Sequence, residues 1–423
     1  MKHVARRIQL LHTNDITKVT DDHTIDYIEN YQLIFYKANQ AVIHLDNFTP
    51  PPGPHAHQSM TSNDKQIWDK SYLIEYTGLH ETTKTWTYIN EDEYKNLSKI
   101  TGAALPSMTV AVVKYNEKGQ PYQAKYCIVV LGNLDPNNWS KSDCFAPIMS
   151  QLDFRILLSE ACRKRCKPKT GDFEQAFGLS FLPNNESYII RPPKGCFLTP
   201  PNTYLLLKKT LYGLKRSPRH WYLKATEVLT SLGLHECQNA PCIFRGYLPS
   251  HTNPEDKIIL GLYVDNFIYF SESQDAIKTF ETNLNHKLNV EFYKNPTHFL
   301  DIQLTILHND HETIIHVDQQ ATTENLIANT GLDHPHVVPT NTPYRSGYPV
   351  DKIPQNPNIP QQRKEECEHI LRQYVGSLKW LSTGTRPDLS TITNMVAKYS
   401  HSASPSHITA AKYAKQMTTS MHT

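Results

Sequence analysis

The sequence predicts an α+β fold in which antiparallel β-hairpins alternate with amphipathic helices. Two pairs of apolar runs, each pair separated by a short polar turn, indicate hairpins within residues 109–132 and 258–271. Elsewhere, apolar residues recur at intervals of three and four, which is the period of a helix with one buried face. A chain of 423 residues buries a sizeable core, so we expect two or three domain-sized units.

The N-terminal half begins with a segment of low core content. Residues 1–65 are polar and contain the proline-rich stretch TPPPGPHAH, which predicts a poorly ordered leader or linker. Asn90 is followed by three acidic residues, and this capping box predicts the start of a helix. The segment TVAVVKYNEKGQPYQAKYCIVVLG then predicts two strands joined by the turn NEKG. In APIMSQLDFRILLSEACRK, the helical period predicts one apolar face formed by Ile148, Leu152, Ile156 and Leu157.

The C-terminal half continues the alternation of hairpins and helices. Ser217-Pro218 predicts the start of a helix, and Gly233 predicts its end. The apolar runs IILGLYV and FIYFS flank Asp265-Asn266, which we predict to be a hairpin turn. A second hairpin is predicted from FLDIQLTIL and ETIIHV, followed by a helix over 318–331, a proline-rich loop and a helical C-terminal region.

The charge of the chain gives no global field that would attract nucleic acid. With a formal net charge of +2, binding to nucleic acid must come from local clusters. One such cluster consists of Arg163, Lys164, Arg165, Lys167 and Lys169. A cluster of this kind is more often a solvated face, so both interpretations stay open. No apolar run is long enough to span a bilayer and no signal peptide is recognised, so we expect an intracellular protein whose 8 cysteines are reduced.

Three segments could carry chemistry, although each alone has a structural explanation. Asp-Asn between two strands is a common turn, and Asp172 in KTGDFEQAF could be a solvated acid near a strand end. The segment LKKTLYGLKRSPRHWY is a basic, aromatic loop that enters a helix, which suits phosphate binding. Their order favours a joint role, because two-metal phosphoryl transfer needs acidic ligands on rigid backbone and cations for the triphosphate.

Six ordered motifs resemble the signature blocks of copia-type LTR-retrotransposon reverse transcriptases. They are KTGDFEQAF, YIIRPPKGC, YLLLKKTLYGLKRSPRHWY, GLYVDNFIYF, THFLDIQL and YVGSLKWLSTGTRPDL. Upstream, AKYCIVVLG and WSKSDCFAPIMSQLDFRILL resemble the fingers strand and the start of the domain. The resemblance covers roughly residues 70 to 415 and implies a Pol polyprotein fragment that ends before RNase H.

The resemblance implies a right-hand polymerase fold with fingers, a palm built on an antiparallel sheet flanked by helices, and a thumb. The implied fingers are residues 66–145 and 179–214, and the implied palm is residues 146–178 and 215–305. Residues 306–423 would form the thumb and the start of the connection region. The implied activity is RNA-directed DNA polymerisation, in which a dNTP is added to a primer on an RNA or DNA template. The implied location is cytoplasmic, in a virus-like particle, or nuclear.

The resemblance also assigns individual residues. The implied catalytic positions are Asp172, Asp265 and the degenerate third position Asn266, with Asp172 and Asp265 as ligands of two Mg²⁺ or Mn²⁺ ions. Nucleotide contacts are implied for Lys125, Phe177, Gly213, Lys215, Arg216 and Arg219. Phe177 would be the steric gate that collides with a ribose 2′-hydroxyl, although it could equally be a core phenylalanine. Primer contacts are implied for Phe299, Leu300 and Asp301.

The sequence departs from the family pattern at three functional positions. Asn266 replaces an aspartate, Cys127 replaces a basic residue of the fingers strand, and Asp301 replaces a glycine. A neutral amide is a weaker Mg²⁺ ligand than a carboxylate, so the first change is expected to reduce catalysis strongly. Two hypotheses follow: an active reverse transcriptase domain, or a catalytically inactive remnant that keeps the fold and nucleic-acid binding.

Overall fold

The computed structural model describes residues 63–115, 121–196, 198–300, 302–328, 342–344 and 360–419. Its helices are α1 Asn63–Thr77, α2 Glu91–Thr101, α3 Lys141–Cys144, α4 Gln151–Arg163, α5 Ser217–Ser231, α6 Gln274–Lys287, α7 Gln320–Ala328, α8 Gln361–Gly384, α9 Ser390–Ala397 and α10 Pro405–Thr419. Its strands are β1 Trp86–Ile89, β2 Ser107–Tyr115, β3 Pro121–Val130, β4 Lys169–Phe173, β5 Ile189–Ile190, β6 Tyr204–Leu207, β7 Leu234–Cys237, β8 Ala240–Gly246, β9 Ile258–Tyr263, β10 Asn266–Phe270, β11 Val290–Tyr293, β12 His298–Phe299, β13 Ile302–His308 and β14 Thr313–Asp318. The α+β class with antiparallel sheets is confirmed.

The chain divides into two compact units that interleave along the sequence. The first takes residues up to 148, with 173–235 and 283–290, and the second takes 149–172, 236–282 and the residues from 291 onward. Helix α5, which the sequence assigned to the palm, therefore belongs to the first unit with most of the predicted fingers. Residues 1–62, most of the predicted leader, lie outside the described residues, and helix α1 begins at residue 63.

The first unit contains the sheet β1-β6-β5 and the hairpin β2-β3, around a core rich in aromatic side chains. Trp68 and Tyr72 of α1 meet the ring of Tyr126 in β3 edge-on, with ring centroids 5.0 and 5.7 Å away. The capping box predicted at the start of α2 is confirmed, since Asn90 and Glu93 satisfy each other's backbone N–H groups. Helix α1 therefore lies against β3, upstream of every motif that carried the family resemblance.

Helix α1 also forms hydrogen bonds with the outer edge of β3, where the described residues place no neighbouring strand. The Ser71 hydroxyl donates to the Ala124 carbonyl at 3.0 Å and accepts the Tyr126 N–H at 2.9 Å. One turn further along the helix, Glu75 Oε1 accepts the Ile128 N–H at 3.3 Å. Two side chains of the helix thus take the place of a neighbouring strand.

The second unit is built on a six-stranded sheet in the order β11-β4-β10-β9-β8-β7. Close backbone approach is possible at its centre because of glycines: a Cβ on Gly171 would lie 2.3 Å from the Phe267 ring, and one on Gly261 would lie 2.4 Å from Met149 Sδ. Helix α6 is held to this sheet by Glu281, which accepts hydrogen bonds from Tyr269 Oη at 2.6 Å and Lys169 Nζ at 2.7 Å.

The predicted apolar face of α4 was wrong for three of its four residues. Ile148, Leu152 and Ile156 are about half exposed or more, and the buried residues are Phe154, Leu157, Leu158 and Ala161. Both sets follow the helical period, and the sequence pattern alone did not choose between them. Tertiary packing decides the face, since Phe154 stacks on Phe299 with ring centroids 5.3 Å apart.

Helix α5 and the helical C-terminal region follow the sequence prediction. Helix α5 has proline in its first turn and ends before Gly233, whose φ is 89°. In the C-terminal region, α8, α9 and α10 share one apolar cluster that includes Leu378, Ile392 and Ala411. The proline-rich loop and residues 329–331 of the predicted 318–331 helix lie outside the described residues. Within the described ranges, no helix has the length and apolarity needed to cross a membrane.

Candidate active site

Two neighbouring strands bring the predicted catalytic residues together. Asp172 of β4 lies directly opposite Asn266 of β10, and the antiparallel register continues with Gly171 opposite Phe267. Directly opposed residues have side chains on the same face of a sheet, with Cβ atoms roughly 5 Å apart. Asp265 immediately precedes Asn266, so all three predicted catalytic residues lie at one end of the β4–β10 pair.

The hairpin turn is shifted by one residue from the predicted position. Tyr263 pairs with Asn266, so the two turn residues are Val264 and Asp265, not Asp265 and Asn266. Asn266 is drawn into β10 because it pairs with Asp172 as well as with Tyr263. Val264 has a φ of 55°, which is unusual for a β-branched residue. Backbone strain of this kind costs about 1–3 kcal/mol and is concentrated at functional sites.

The third catalytic position is occupied by an amide that contacts its neighbour. Asn266 Nδ2 donates a hydrogen bond to Asp265 Oδ1 at 3.1 Å. This bond uses part of the acceptor capacity of the carboxylate, and the amide adds no negative charge of its own. In the described part of the chain, no group of three or more His, Cys, Asp and Glu side chains is gathered as a metal site.

Phe177, the predicted steric gate, is buried in the first unit. Its side chain is 8% exposed, and its ring meets that of Tyr212 at a right angle with centroids 4.6 Å apart. It lies in a single 3₁₀ turn, Ala176–Leu179, and its carbonyl accepts a hydrogen bond from the Thr210 hydroxyl. These contacts fix the position of the Phe177 ring. A fixed ring is expected both of a steric gate and of an ordinary core phenylalanine, so the two interpretations stay open.

Gly213 is required by its contact with a strand of the protein. Its φ is 91°, and a Cβ there would lie 2.0 Å from the Val130 carbonyl oxygen and 2.8 Å from Val129 Cγ1. The Val130 N–H donates to the Tyr212 carbonyl at 2.8 Å, so this segment lies against the end of β3. The packing of the protein thus explains the glycine without reference to an incoming nucleotide.

Lys215 and Arg216 are engaged by the protein itself. Lys215 Nζ donates to the Asp135 carbonyl at 3.0 Å. The Arg216 guanidinium pairs with Glu186 and lies over the Trp139 ring, 4.5 Å from its centroid. The Glu186 side chain is 1% exposed, so its carboxylate depends on these partners for stabilisation. The same Glu186 oxygen lies 3.0 Å from His220 Nε2.

Removing the Arg216 guanidinium is expected to destabilise the protein, because the buried Glu186 carboxylate then loses its charged partner. Arg216→Ala should lower the free energy of unfolding by about 2 kcal/mol, because it leaves a buried carboxylate with His220 as its remaining partner. Arg219→Ala is the matched control, since the Arg219 guanidinium lies over the Tyr222 ring at 5.8 Å and the loss should stay below about 1 kcal/mol. Urea unfolding of both variants measures the difference, and equal losses would contradict the prediction.

The remaining residues predicted to contact the nucleotide or the primer differ in their burial and backbone geometry. Lys125 lies in β3 opposite Val112, and its charge acts on the Glu75 carboxyl. Phe299 is 3% exposed, so its ring faces the core and only its backbone is available to a primer. Leu300 has a φ of 53° in the turn before β13, and Asp301 lies outside the described residues. Cys127, the departure on the fingers strand, lies in β3 opposite Val110, and neither it nor any other cysteine of the chain forms a disulfide.

The basic cluster of residues 163–169 is largely neutralised by acidic partners. Arg163 pairs with Glu160 at 2.6 Å, and Lys169 pairs with Glu281 at 2.7 Å. Lys164 pairs with Glu272, and Lys167 donates to Asn295. The interpretation as a solvated, paired face is therefore favoured over a nucleic-acid contact.

Sequence reasoning missed Glu186 and Glu75, two of the buried carboxyl residues of the first unit. Glu186 lies in the polar segment PNNES, and Glu75 lies in a helix with a mixed face, so neither position suggested burial. A signal was present for Glu75, because it follows Ser71 by four residues and therefore shares its helical face.

Comparison with known proteins supports one family. A family model described as reverse transcriptase (RNA-dependent DNA polymerase) matches residues 96–343, which is more than half of the chain. The Retrovirus-related Pol polyprotein from transposon RE1 of Arabidopsis thaliana is 25% identical over 302 residues, covering 71% of this chain and 19% of the relative. That from transposon TNT 1-94 of Nicotiana tabacum is 21% identical over 292 residues, covering 69% of this chain and 21% of the relative.

The chain thus spans about a fifth of the length of these relatives. Among solved structures, a foamy viral protease–reverse transcriptase in complex with ds DNA is similar with a TM-score of 0.42 and 11% identity, covering 99% of this chain and 60% of that one. A TM-score of this size adds no argument, so the assignment depends on the sequence matches. On these matches, the chain belongs to the reverse transcriptase family, the RNA-dependent DNA polymerases, with relatives among the Pol polyproteins of copia-like transposons.

Proposed function

We propose that this chain extends a primer 3′-hydroxyl with deoxynucleotides on an RNA or DNA template, as part of a retrotransposon Pol polyprotein. The observation that carries the proposal is the cross-strand pairing of Asp172 with Asn266, which brings Asp172 beside the turn that holds Asp265. Two carboxylates held close together, one on a strand and one on a tight hairpin turn, are what two-metal nucleotidyl transfer needs. Family membership supports the same reaction class.

The carboxylate oxygens at this end of the sheet are chemically suited to bind a divalent cation. Carboxylate oxygens are the hard ligands that Mg²⁺ and Mn²⁺ prefer, and Asp172 and Asp265 would hold the two ions. When bound, such ions stabilise the charge of the attacking and leaving oxygens. The Asn266 amide oxygen is a neutral donor, so the site is one negative charge short of three carboxylates.

The chain's own residues would bind and orient the nucleotide. We assign Lys125 and Arg219 to phosphate binding, and we assign Lys215 and Arg216 a role that is mainly structural because their cationic groups contact the protein. The Phe177 ring, held against Tyr212, would exclude a ribose 2′-hydroxyl. Phe299 and Leu300 would contact the primer through their backbone.

Primer extension on an RNA template, with Mg²⁺ or Mn²⁺, tests the proposal. The chain as given should show slow extension, and Asp265→Asn should reduce it by roughly 100-fold or more because one of two metal-binding carboxylates is lost. Ser71→Ala, which removes two hydrogen bonds between α1 and β3 and changes none of the predicted site residues, is the control for handling and stability. Extension that survives unchanged in both Asp265→Asn and Asp172→Asn would contradict the assignment of the site.

A second candidate function is that of an inactive remnant which still binds nucleic acid. The hydrogen bond from Asn266 to Asp265 favours it, since the amide replaces a charge and also occupies an acceptor position. In this case no variant extends a primer, including Asn266→Asp, while a gel-shift assay still detects salt-dependent binding of a primer–template duplex.

A further inference from the structure

We propose that Glu75 is a positioning residue for nucleotide selection, which fixes the 3₁₀ turn that carries Phe177 to strand β3. This inference rests on the proposed function, because it names a further residue that determines the choice between deoxyribose and ribose. Glu75 is not itself one of the predicted metal ligands or phosphate contacts. Its effect would pass through the backbone of the turn and through the edge of β3.

The first observation is the position of the Glu75 carboxyl between two elements. The side chain belongs to α1 and is 7% exposed. It accepts the backbone N–H of Ile128 at 3.3 Å and also receives a hydrogen bond from the side-chain amide of Gln175. One buried carboxyl therefore joins Ile128 of strand β3, the residue after Cys127, to Gln175, the residue that begins the Phe177 turn.

The second observation is the backbone of Gln175 itself. Its φ of 50° and ψ of 41° place it in the left-handed region, where non-glycine residues are uncommon. Its carbonyl accepts the Gly178 N–H at 2.8 Å, which closes the turn around Phe177. Such a conformation persists only where the surroundings impose it. The hydrogen bond to Glu75 is a contact that imposes it.

The third observation is the close fit of the turn against the residues that follow α1. A Cβ on Gly78 would lie 2.2 Å from Gln175 Nε2, so the glycine leaves the space in which the amide reaches Glu75. A Cβ on Gly178 would meet Thr83 Oγ1 and Thr85 Oγ1, each at 3.3 Å. The turn is therefore seated on residues 78–85, and Glu75 is its charged anchor.

The ionisation of Glu75 should make the contact between Glu75 and Gln175 depend on pH. Burial raises the pKa of Glu75 to about 7, opposed by the hydrogen bond from the Ile128 N–H, by the charge of Lys125 and by the Gln175 amide. The charge of Lys125 in β3 acts on the carboxyl, whereas the turn offers it the neutral Gln175 amide. An ionised carboxylate accepts hydrogen bonds more strongly than a protonated one. Because the Gln175 amide lowers the pKa, its contact with Glu75 should be stronger at pH 8 than at pH 6, while the burial that raises the pKa makes the folded state as a whole less stable as the carboxyl ionises.

The test measures nucleotide selection without chemistry. A primer ended by a dideoxynucleotide is bound with its RNA template and Mg²⁺, and the affinities of the complex for dTTP and for ribothymidine triphosphate, which differ only in the 2′-hydroxyl, are compared by fluorescence. Phe177→Ala should reduce the preference for dTTP most, and Glu75→Ala should reduce it by at least about 5-fold through the displaced turn. Gln175→Ala should match Glu75→Ala, and the double variant should be no worse than either, because both remove one interaction.

Two further variants separate positioning from general stability. Glu75→Gln keeps the shape of the side chain and should retain most of the preference, but the rise of preference between pH 6 and pH 8 in the unmodified chain should disappear. Ser71→Ala removes the other contacts of α1 with the β3 edge without touching Gln175. It should lower the melting temperature and leave the preference for dTTP unchanged.

The outcomes also separate this inference from the function on which it rests. A preference unchanged in Glu75→Ala and Gln175→Ala but lost in Phe177→Ala would overturn the positioning role and leave the proposed function standing. A preference unchanged in Phe177→Ala would overturn the inference as well, since the effect has to pass through that ring. Failure to bind any nucleotide, in the unmodified chain and in Asn266→Asp alike, would contradict the proposed function and the inference together.

Discussion

Replacing Asn266 with aspartate should raise the rate of primer extension by roughly 10- to 100-fold, the range typical of changes to groups beside a catalytic metal. The new carboxylate would lie directly opposite Asp172 on the same face of the sheet. It would also remove the hydrogen bond by which the Asn266 amide engages Asp265 Oδ1. Both effects return negative charge and acceptor capacity to the end of the β4–β10 pair.

The same substitution should make stability depend on divalent cations. Three carboxylates within a few ångströms repel one another, so Asn266→Asp should unfold more easily than the unmodified chain when EDTA is present, by about 1 kcal/mol. Millimolar Mn²⁺ should reverse the order, because an ion bound to the folded state stabilises it by mass action. Thermal unfolding with EDTA and with Mn²⁺ measures this in the absence of any substrate.

Asn266→Ala is the matched control for both measurements. It removes the amide and its hydrogen bond without adding charge, so it should neither raise extension strongly nor gain stabilisation from Mn²⁺. If Asn266→Asp and Asn266→Ala behave alike in both assays, the missing negative charge at position 266 limits neither primer extension nor cation binding.

Gly213→Ala should lower the free energy of unfolding by about 3 kcal/mol or more. Two costs combine: the φ of 91° is unfavourable for any residue with a Cβ, and the added carbon would lie 2.0 Å from the Val130 carbonyl oxygen. The clash is with backbone, so no side-chain rotation relieves it. The end of β3 would have to move away from Tyr212.

Replacing Gly376 with alanine should instead raise the free energy of unfolding. Gly376 lies inside helix α8, and a Cβ there has no atom within 4 Å, so alanine should stabilise the protein by about 0.5–1 kcal/mol. Urea unfolding followed by tryptophan fluorescence and by circular dichroism would measure both variants. A loss below about 1 kcal/mol for Gly213→Ala would contradict the prediction, because it would show that the end of β3 can move away from the added methyl group at little cost.

The sequence was sufficient where local signals decide the structure. Asn90 and its acids, Ser217-Pro218 and Gly233 each carry their own physical reason for a helix end, and the structure confirms them. The alternation of hairpins and helices follows from patterns of the same local kind. The order of the motifs was also enough to identify the family, which the sequence matches confirm.

The sequence was insufficient where distant residues decide. The turn of the β9–β10 hairpin moved by one residue because Asn266 pairs across to β4, a contact that lies 94 positions away in the chain (266 − 172). The buried face of α4 depends on Phe299, and the engagement of Arg216 depends on Glu186. In each case two local solutions were equally good, and only the tertiary partner distinguished them.

The role of Ser71 and Glu75 along β3 has a consequence for where the polymerase domain begins. The family match starts at residue 96, downstream of α1, yet the hydrogen bonds that close the free edge of β3 come from residues 71 and 75. A fragment cut at residue 96 would present an open, apolar strand edge, which is a template for pairing with other chains. We expect such a fragment to self-associate into insoluble aggregates, whereas a fragment that begins at residue 63 remains dispersed in light-scattering measurements.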